Sequence, residues 1–254
     1  MPEPVDAGRV RQGEPEGRVT AGEAAMQRVR EDRLLIDQVD LWLYEEIAPF
    51  LGQRVLEIGC GLGNFARYLT DRALYVGTDL SPESVAHVNR LYQAQPNMQA
   101  CVADVAGADF LALGRFEIDT IFSLNVLEHI EDQVQALRQA RAVLQPGGRL
   151  ILVVPAHDWL YGSMDRAIGH YRRYDKQTMA ALFEEVGLRS LELKYLNALG
   201  ALGWYTNGRI RRQETPPSGQ LHLFNRLVPL LKRFERAVPV PFGVSLLAVA
   251  TLER

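Results

Sequence analysis

A glycine-rich turn that follows a short apolar run is the first place where this sequence could do chemistry. The run Val55–Ile58 contains one acidic residue, Glu57, and is followed by Gly59, Gly61 and Gly63 at alternate positions. Glycines let a backbone turn tightly and approach a ligand closely. The spacing G-x-G-x-G differs from the G-x-G-x-x-G of dinucleotide-binding turns, and a carboxylate is a poor neighbour for a pyrophosphate. The turn therefore favours a cationic ligand, with a tight structural turn as the alternative.

Two further carboxylates follow apolar runs later in the chain. Asp79 comes directly after the run Leu74–Thr78, and Asp104 follows Met98–Val102. One such carboxylate can accept hydrogen bonds from both hydroxyls of a ribose, and the next can accept from an exocyclic amine. With Glu57 they predict a site for an adenosine that carries a positive tail and no phosphate. Taken singly, Glu57 could pair with an arginine and the two aspartates could be turn residues.

Histidines and tyrosines elsewhere could act on a second substrate. His129 follows the apolar run Ile118–Leu124, and an imidazole changes charge near neutral pH, which suits proton transfer. A histidine there could equally stabilise the start of a helix. The loop over residues 156–175 is dense in polar and aromatic side chains. The candidate catalytic residues are His129, His170, Tyr171 and Tyr174.

The same loop also has a structural interpretation. Arg172 and Arg173 could grip a carboxylate or phosphate of an acceptor. Alternatively, they could bond backbone carbonyls and make the loop a clasp. Residue types that bind metals occur here, but their spacing matches no standard ligand pattern, so no metal site is predicted. They are His157, Asp158, Asp165 and His170.

Alternating strands and helices are expected to position these residues. Strands are predicted over 54–58, 74–78, 98–102, 118–124, 149–154, 188–196 and 244–252. Helices are predicted over 23–48, 64–70, from Pro82 onward, and over 131–144, 176–186 and 221–238. This alternation is typical of an α/β protein with a parallel sheet covered on both faces. The N-terminus of the helix after the glycine turn would offer unpaired N–H groups. The segments 156–175 and 197–243 interrupt the pattern and are interpreted as lids over the site.

These ordered motifs resemble the class I S-adenosylmethionine-dependent methyltransferases over about residues 35–254. The resemblance implies a Rossmann-like, mostly parallel sheet of seven strands with helices on both faces and an antiparallel last strand. It also implies S-adenosylmethionine as the cofactor. The segment Ser123–Ile130 is similar to the family's stretch after the fourth strand, where Asn125 borders the methionine end. The implied cofactor-binding residues are Glu57, Gly59, Cys60, Gly61, Gly63, Asp79, Leu80, Asp104, Val105 and Asn125.

Two details refine the resemblance. The loop Gly169–Tyr174 is similar to a bacterial subgroup that is sometimes encoded beside a family 2 glycosyltransferase, which names no acceptor. Asn125–Glu128 lacks the Asn-Pro-Pro-Tyr tetrapeptide of the branches that methylate DNA amines and protein glutamines. The sequence is therefore interpreted as an enzyme that methylates an oxygen or nitrogen of a small molecule. A non-methylating reaction such as cyclisation or decarboxylation, and an inactive binding protein, are the alternatives.

Composition sets outer limits on partners and location. The chain has 254 residues, 47% of them hydrophobic, and a net charge of −3. A nucleic-acid partner is not expected from that charge. Two cysteines indicate no disulfide framework and a reducing cytoplasm, and no apolar run is long enough for a membrane span. Residues 1–22 are predicted to be a disordered tail, and residues 23–254 one domain with a helical cap over 23–50.

The helix over residues 221–238 leaves two interpretations open. Its leucines follow helical spacing, and its arginines and lysine make it amphipathic and basic. Such a helix could pack on the domain or at a homodimer interface. It could also lie on a membrane surface and serve a lipid-linked acceptor, with peripheral contact only. The oligomeric state is expected to be monomer or homodimer.

Overall fold

A seven-stranded sheet organises the molecule. The computed structural model describes residues 37–215, 217–238 and 240–253. The strands are β1 (Arg54–Ile58), β2 (Leu74–Asp79), β3 (Met98–Val102), β4 (Ile118–Leu124), β5 (Leu144–Pro155), β6 (Arg189–Leu196) and β7 (Ser245–Thr251). The α-helices are α1 (Asp37–Ile47), α2 (Pro82–Leu91), α3 (Gln133–Val143), α4 (Ser163–Ala167), α5 (Lys176–Glu185), α6 (Ala198–Tyr205) and α7 (Ser218–Ala237).

The strand order is β3-β2-β1-β4-β5-β7-β6. Strands β1 to β5 pair in parallel, whereas β7 runs antiparallel to both β5 and β6. The α/β prediction of a mostly parallel sheet with an antiparallel last strand is confirmed. The chain order reverses between β1 and β4, so a crevice opens where their carboxyl ends separate. The glycine turn leaves β1 at this crevice.

Each face of the sheet carries its own apolar core, because successive side chains of a strand point to opposite faces. Leu56 and Ile121 point to one face, where α3 and α5 pack. Val55 and Phe122 point to the other, where α1 and α2 pack. The helices thus cover both faces, as the alternation of elements predicts.

The segment after the glycine turn differs from its prediction. The helix expected over residues 64–70 is instead a set of turns with one short 3₁₀ helix, Ala66–Tyr68. The side chains of Phe65, Ala66 and Leu69 are buried against the sheet. The backbone closes in tight turns, with the Leu69 N–H donating to Ala66 O at 3.0 Å. The expected N-terminus of an α-helix therefore does not face the glycine turn.

Other boundaries shift less. β5 begins at Leu144, because Leu144 pairs with Ile118 ahead of the Pro146–Gly148 stretch. Helix α1 and the 3₁₀ turn Ala48–Phe50 cover part of the predicted cap over 23–50. The tail predicted over residues 1–22 and the start of that cap lie outside the described residues. Within the described ranges, every helix is too short or too polar to cross a membrane.

Candidate cofactor and acceptor site

The glycine turn has a backbone that favours glycine. Gly59, Gly61 and Gly63 have φ angles of 76°, 51° and 80°, in the left-handed region. A Cβ on Gly59 would overlap the side chain of Val126, which follows β4. A Cβ on Gly61 would meet no atom within 4 Å, so the space above the middle of the turn is clear. The turn is thus tightly packed at one end and accessible at its centre.

Asp79 holds the turn from the end of β2. Its Oδ2 accepts the Gly61 N–H at 2.8 Å, and its Oδ1 accepts the Ser81 N–H at 2.9 Å. Both bonds orient a half-buried carboxylate whose oxygens still have acceptor capacity. The carboxylate is therefore fixed in position beside the turn before any ligand binds.

Glu57 lies nearly buried below the turn, and its Oε2 accepts the Tyr75 hydroxyl at 2.5 Å. Burial, together with the negative charge of Glu57, raises the pKa of Tyr75 well above its usual value, so the tyrosine stays a donor. Cys60, inside the turn, is also buried. Burial and the charges of Glu57 and Asp79 raise the pKa of its thiol, which makes Cys60 a packing residue and not a nucleophile.

A cavity of about 980 Å³ extends from the turn. Its size is at the upper end for small-molecule sites, which leaves room for a second molecule beside a cofactor. Nine of the ten predicted cofactor residues line it; Gly63, which packs near Val88, does not. Of these nine, Leu80 is 69% exposed, Val105 is buried, and Asp104 is exposed with its Oδ1 accepting the Ala106 N–H at 2.9 Å.

Asn125 reaches the cavity from the end of β4. It has a positive φ of 53°, and its N–H donates to Val153 O at 2.8 Å. Asparagine tolerates this left-handed conformation better than most residues. The conformation turns the chain at the crevice between β1 and β4, next to Gly59.

A buried polar network forms the far wall of the cavity. Asp165 accepts from His170 Nδ1 at 2.9 Å, Arg173 Nε at 2.8 Å and Trp204 Nε1 at 3.0 Å. Burial alone would raise the pKa of Asp165, but the His170 hydrogen bond, the Arg173 charge and the Trp204 hydrogen bond outweigh it and lower the pKa to about 2. An ionised Asp165 only accepts, so a neutral His170 carries its hydrogen on Nδ1 and leaves Nε2 as the basic nitrogen.

Two of the four predicted catalytic residues line this cavity. His129 and His170 lie with ring centroids 4.7 Å apart in an edge-to-face arrangement. The structure does not bring the other two to the cavity wall. Tyr171 is 55% exposed under the guanidinium of Arg172, and Tyr174 is 2% exposed with its hydroxyl donating to Gln133.

The arginines of the 156–175 segment act as a clasp. Arg172 donates to the carbonyls of Ile130 and Glu131 at 3.1 and 2.9 Å. Arg173 donates to Ala156 O at 2.9 Å as well as to Asp165. The contacts therefore match the structural interpretation of the loop.

One group of side chains in the described part of the chain has the spacing of metal ligands. Donor atoms of Glu128, His129 and His170 lie within 4.8 Å of one another. His170 Nε2 lies 3.7 Å from Glu128 Oε1.

Sequence reasoning missed most of the wall beside His170. Arg173 was considered as a grip for an anionic acceptor, Asp165 only as a rejected metal ligand, and Trp204 and Asn207, which line the cavity, were not identified as site residues. Trp204 is 39 positions from Asp165, so no local spacing signals their hydrogen bond. The one signal was the unusual density of polar and aromatic groups in the 156–175 segment.

Comparison with known proteins places this geometry in a family. A family model described as a methyltransferase domain matches residues 27–193, well over half of the chain. An uncharacterized methyltransferase of Mycobacterium bovis is 28% identical over 135 residues, which cover 52% of this chain and 51% of that protein. A ubiquinone biosynthesis O-methyltransferase of Cereibacter sphaeroides is 32% identical over 104 residues, 41% of each protein. The chain thus spans about half, or less, of the length of these relatives.

Solved structures agree on the fold. An S-adenosylmethionine dependent methyltransferase from Mesorhizobium loti matches with a TM-score of 0.55 and 16% identity, covering 83% of this chain and 97% of that one. At this identity the likeness shows the fold alone. The chain therefore belongs to the methyltransferase domain family, and its fold is that of the class I S-adenosylmethionine-dependent methyltransferases.

Proposed function

We propose that this chain transfers a methyl group from S-adenosylmethionine to an oxygen or nitrogen of a small-molecule acceptor. One observation carries the proposal: a single cavity runs from the glycine turn and Asp79 to His129 and His170. A site that joins a nucleoside-binding end to a pair of histidines suits a cofactor and an acceptor held side by side.

The residues of the turn fit the cofactor. Glu57 supplies negative charge near the turn for a cationic methionine end, and the clear space above Gly61 admits a ligand against the backbone. Asp79 would accept from the ribose hydroxyls. Leu80 and Val105 would flank the adenine, and Asp104 would lie near its amine.

The chain's own residues would do little covalent work. When bound, S-adenosylmethionine supplies a methyl group already activated on a sulfonium, so alignment carries most of the catalysis. The acceptor's lone pair would attack the methyl carbon while the carbon–sulfur bond breaks toward sulfur. His170 would take the acceptor's proton on Nε2, with Asp165 holding the ring. His129 is the second candidate base.

The test is product mass. The protein, S-adenosylmethionine and pools of candidate acceptors should yield a product heavier by one methyl group, together with S-adenosylhomocysteine. His170→Gln should slow turnover by about 100-fold or more, the usual contribution of a general base. His87→Gln, in an exposed histidine on α2, is the control and should be neutral. A product without an added methyl group would instead support cyclisation or decarboxylation and refute methyl transfer.

The proposal also covers the subgroup, the cellular location and the type of acceptor. We place the chain in the bacterial subgroup with the Gly169–Tyr174 loop and propose a cytoplasmic location, where Cys60 and Cys101 would stay as the free thiols they are in the structure. The acceptor would be a small molecule, either free or lipid-linked. The 156–175 and 197–243 segments would act as its lids, because both contribute to the cavity wall.

A further inference from the structure

Within the part of the chain that the structure describes, the outward face of α7 carries an exposed apolar stripe. Leu223, Leu230 and Phe234 are 60%, 64% and 59% exposed. Their spacing of seven and four residues places them on one side of the helix. Arg226 and Arg233, both exposed, follow Leu223 and Leu230 by three positions and flank the stripe.

The opposite face of α7 packs on the rest of the domain. Val228 is buried, and Lys232 Nζ contacts Glu45 of α1 at 2.6 Å. Glu235 is buried and accepts the N–H groups of Asn197 and Ala198 at 2.8 and 2.9 Å. Packing therefore explains the inner pattern of the helix and leaves the outer leucines and phenylalanine unexplained.

The segment before α7 extends the same kind of surface. Leu202, Tyr205 and Ile210 are 53%, 39% and 65% exposed. Three arginines lie beside them and are also exposed: Arg209, Arg211 and Arg212. We call this surface, together with the outward stripe of α7, the basic apolar face.

Charge complementarity points to the partner. The 197–243 segment holds seven Lys and Arg residues against two Asp and Glu residues, although the whole chain has a net charge of −3. One of the two acids, Glu235, is buried, and two of the seven cations, Lys232 and Arg236, bond Glu45. Exposed arginines beside exposed apolar side chains are the pattern of a helix that lies in the interface of an anionic bilayer.

The basic apolar face continues into the cavity. Leu199 and Leu223 are exposed and also line the cavity, and the half-buried Leu227 lines it beside them. An apolar chain held in a bilayer could reach the acceptor space along these leucines without crossing water. An acceptor taken from bulk water would not need this path.

We propose that the basic apolar face binds an anionic membrane surface and that the acceptor is an amphiphile drawn from it. This inference rests on the proposed function and names its substrate class. The apolar side chains enter the headgroup boundary, the arginines contact anionic headgroups, and the mouth of the cavity faces the lipid.

Cosedimentation with vesicles tests the surface apart from activity. The full chain should bind vesicles that contain phosphatidylglycerol and bind pure phosphatidylcholine vesicles at least tenfold more weakly, with added salt weakening the first. Leu230→Ser with Phe234→Ser, and separately Arg226→Glu with Arg233→Glu, should each lower the partition coefficient more than tenfold. None of these four residues lines the cavity.

A matched control uses exposed leucines elsewhere. Leu91→Ser with Leu111→Ser, at positions 57% and 51% exposed, should leave vesicle binding unchanged. Binding of S-adenosylmethionine by each variant shows that it is folded and keeps the cofactor site separate from the membrane question. Equal loss in the control pair, or no vesicle binding by a protein that binds cofactor, would overturn the proposal. A dimer in light scattering that Leu230→Ser with Phe234→Ser dissociates, without vesicle binding, would assign the face to a second copy instead.

Discussion

At the scale of single residues, the polar centre of the site is Asp165. This fully buried carboxylate collects hydrogen bonds from an imidazole, a guanidinium and an indole. Such a network is stable only when every member is paired, because a buried charge without a partner is costly. The network fixes the orientation of His170 and links the 156–175 segment to α6 through Trp204.

Asp165 should make stability depend on acid. Its pKa in the folded chain is about 2, below the ordinary value of 3.8, so the ionised form stabilises the fold above the ordinary value. That contribution, roughly 2 kcal/mol, should be lost as pH falls from about 4 through about 2. Asp165→Asn should remove this acid-sensitive component and cost roughly 3 kcal/mol at neutral pH, because Arg173 stays buried. Urea unfolding across this pH range measures both effects.

The control for that experiment is Asp71→Asn, since the Asp71 side chain is 75% exposed. It should leave both the stability and its acid dependence within about 0.5 kcal/mol of wild type. An acid profile of Asp165→Asn that matches wild type would contradict the role assigned to Asp165.

Asp79 belongs to the same scale and is the residue proposed to bind the ribose of the cofactor. Asp79→Ala should weaken binding of S-adenosylmethionine more than tenfold, because two ribose hydroxyls lose their acceptor and Gly61 N–H loses the bond that holds the turn. Calorimetry of the variant and of Asp71→Ala gives the comparison. Unchanged affinity would remove Asp79 from the ribose position.

The sequence predicts some of these residues and not others for a physical reason. Glu57, Asp79 and Asn125 were identifiable because each lies at or near a strand's carboxyl end, which adjacent apolar residues mark. Tyr171 and Tyr174 were less predictable, because Gly169–Tyr174 has no regular secondary structure that would set the direction of each side chain. Only the folded chain shows that neither tyrosine lines the cavity.

At the scale of elements, the site depends on the close approach of β1 and β4. Their parallel register pairs Ile58 with Ser123, so the turns that follow both strands meet. Gly59 then lies against Val126, and Asn125 turns in the left-handed conformation beside it. The crevice for a ligand exists because these two turns diverge from adjacent strand ends.

Gly59→Ala tests this approach. The methyl group would overlap Val126 and force an alanine to a φ of 76°. Steric overlap and the unfavourable backbone angle together should destabilise the fold by roughly 2–4 kcal/mol and weaken cofactor binding. Thermal unfolding and calorimetry measure the two effects. Gly114→Ala is the matched control, because a Cβ there meets nothing within 4 Å.

Adding Val126→Ala to Gly59→Ala separates the two causes. It should restore the part of the stability lost to overlap and leave the part caused by the backbone angle. No recovery at all would mean that Val126 does not set the approach of the two turns.

Elements were predictable where apolar pattern alone determines them. The limits of β1, β3 and β4 match their sequence predictions because apolar residues predominate in each of these short runs. The 64–70 helix prediction was wrong, because packing of Phe65 and Leu69 against the sheet outweighs the helical pattern of the segment. The sequence could not show which face of α7 packs inward, because the partners of that face, Glu45 and Asn197, lie far away in sequence.

At the scale of the whole molecule, chemistry and recognition divide between parts of the chain. The sheet and its strand-end turns supply the predicted cofactor residues, while the 156–175 and 197–243 segments supply the opposite wall. The charge distribution follows the same division: the 197–243 segment has an excess of Lys and Arg, whereas the whole chain has a net negative charge. Under the proposed function, one end of the cavity would hold the nucleoside of the cofactor and the other end the acceptor.

The central claim is that this cavity holds S-adenosylmethionine. Isothermal titration calorimetry of the purified full chain, with S-adenosylmethionine and separately with S-adenosylhomocysteine, tests it most directly. Micromolar binding of both ligands, at one site per chain, is the predicted result. Circular dichroism on the same sample shows that the protein is folded. Absence of binding by a folded protein, with and without acceptor pools, would contradict the proposed function and leave the glycine turn a structural feature alone.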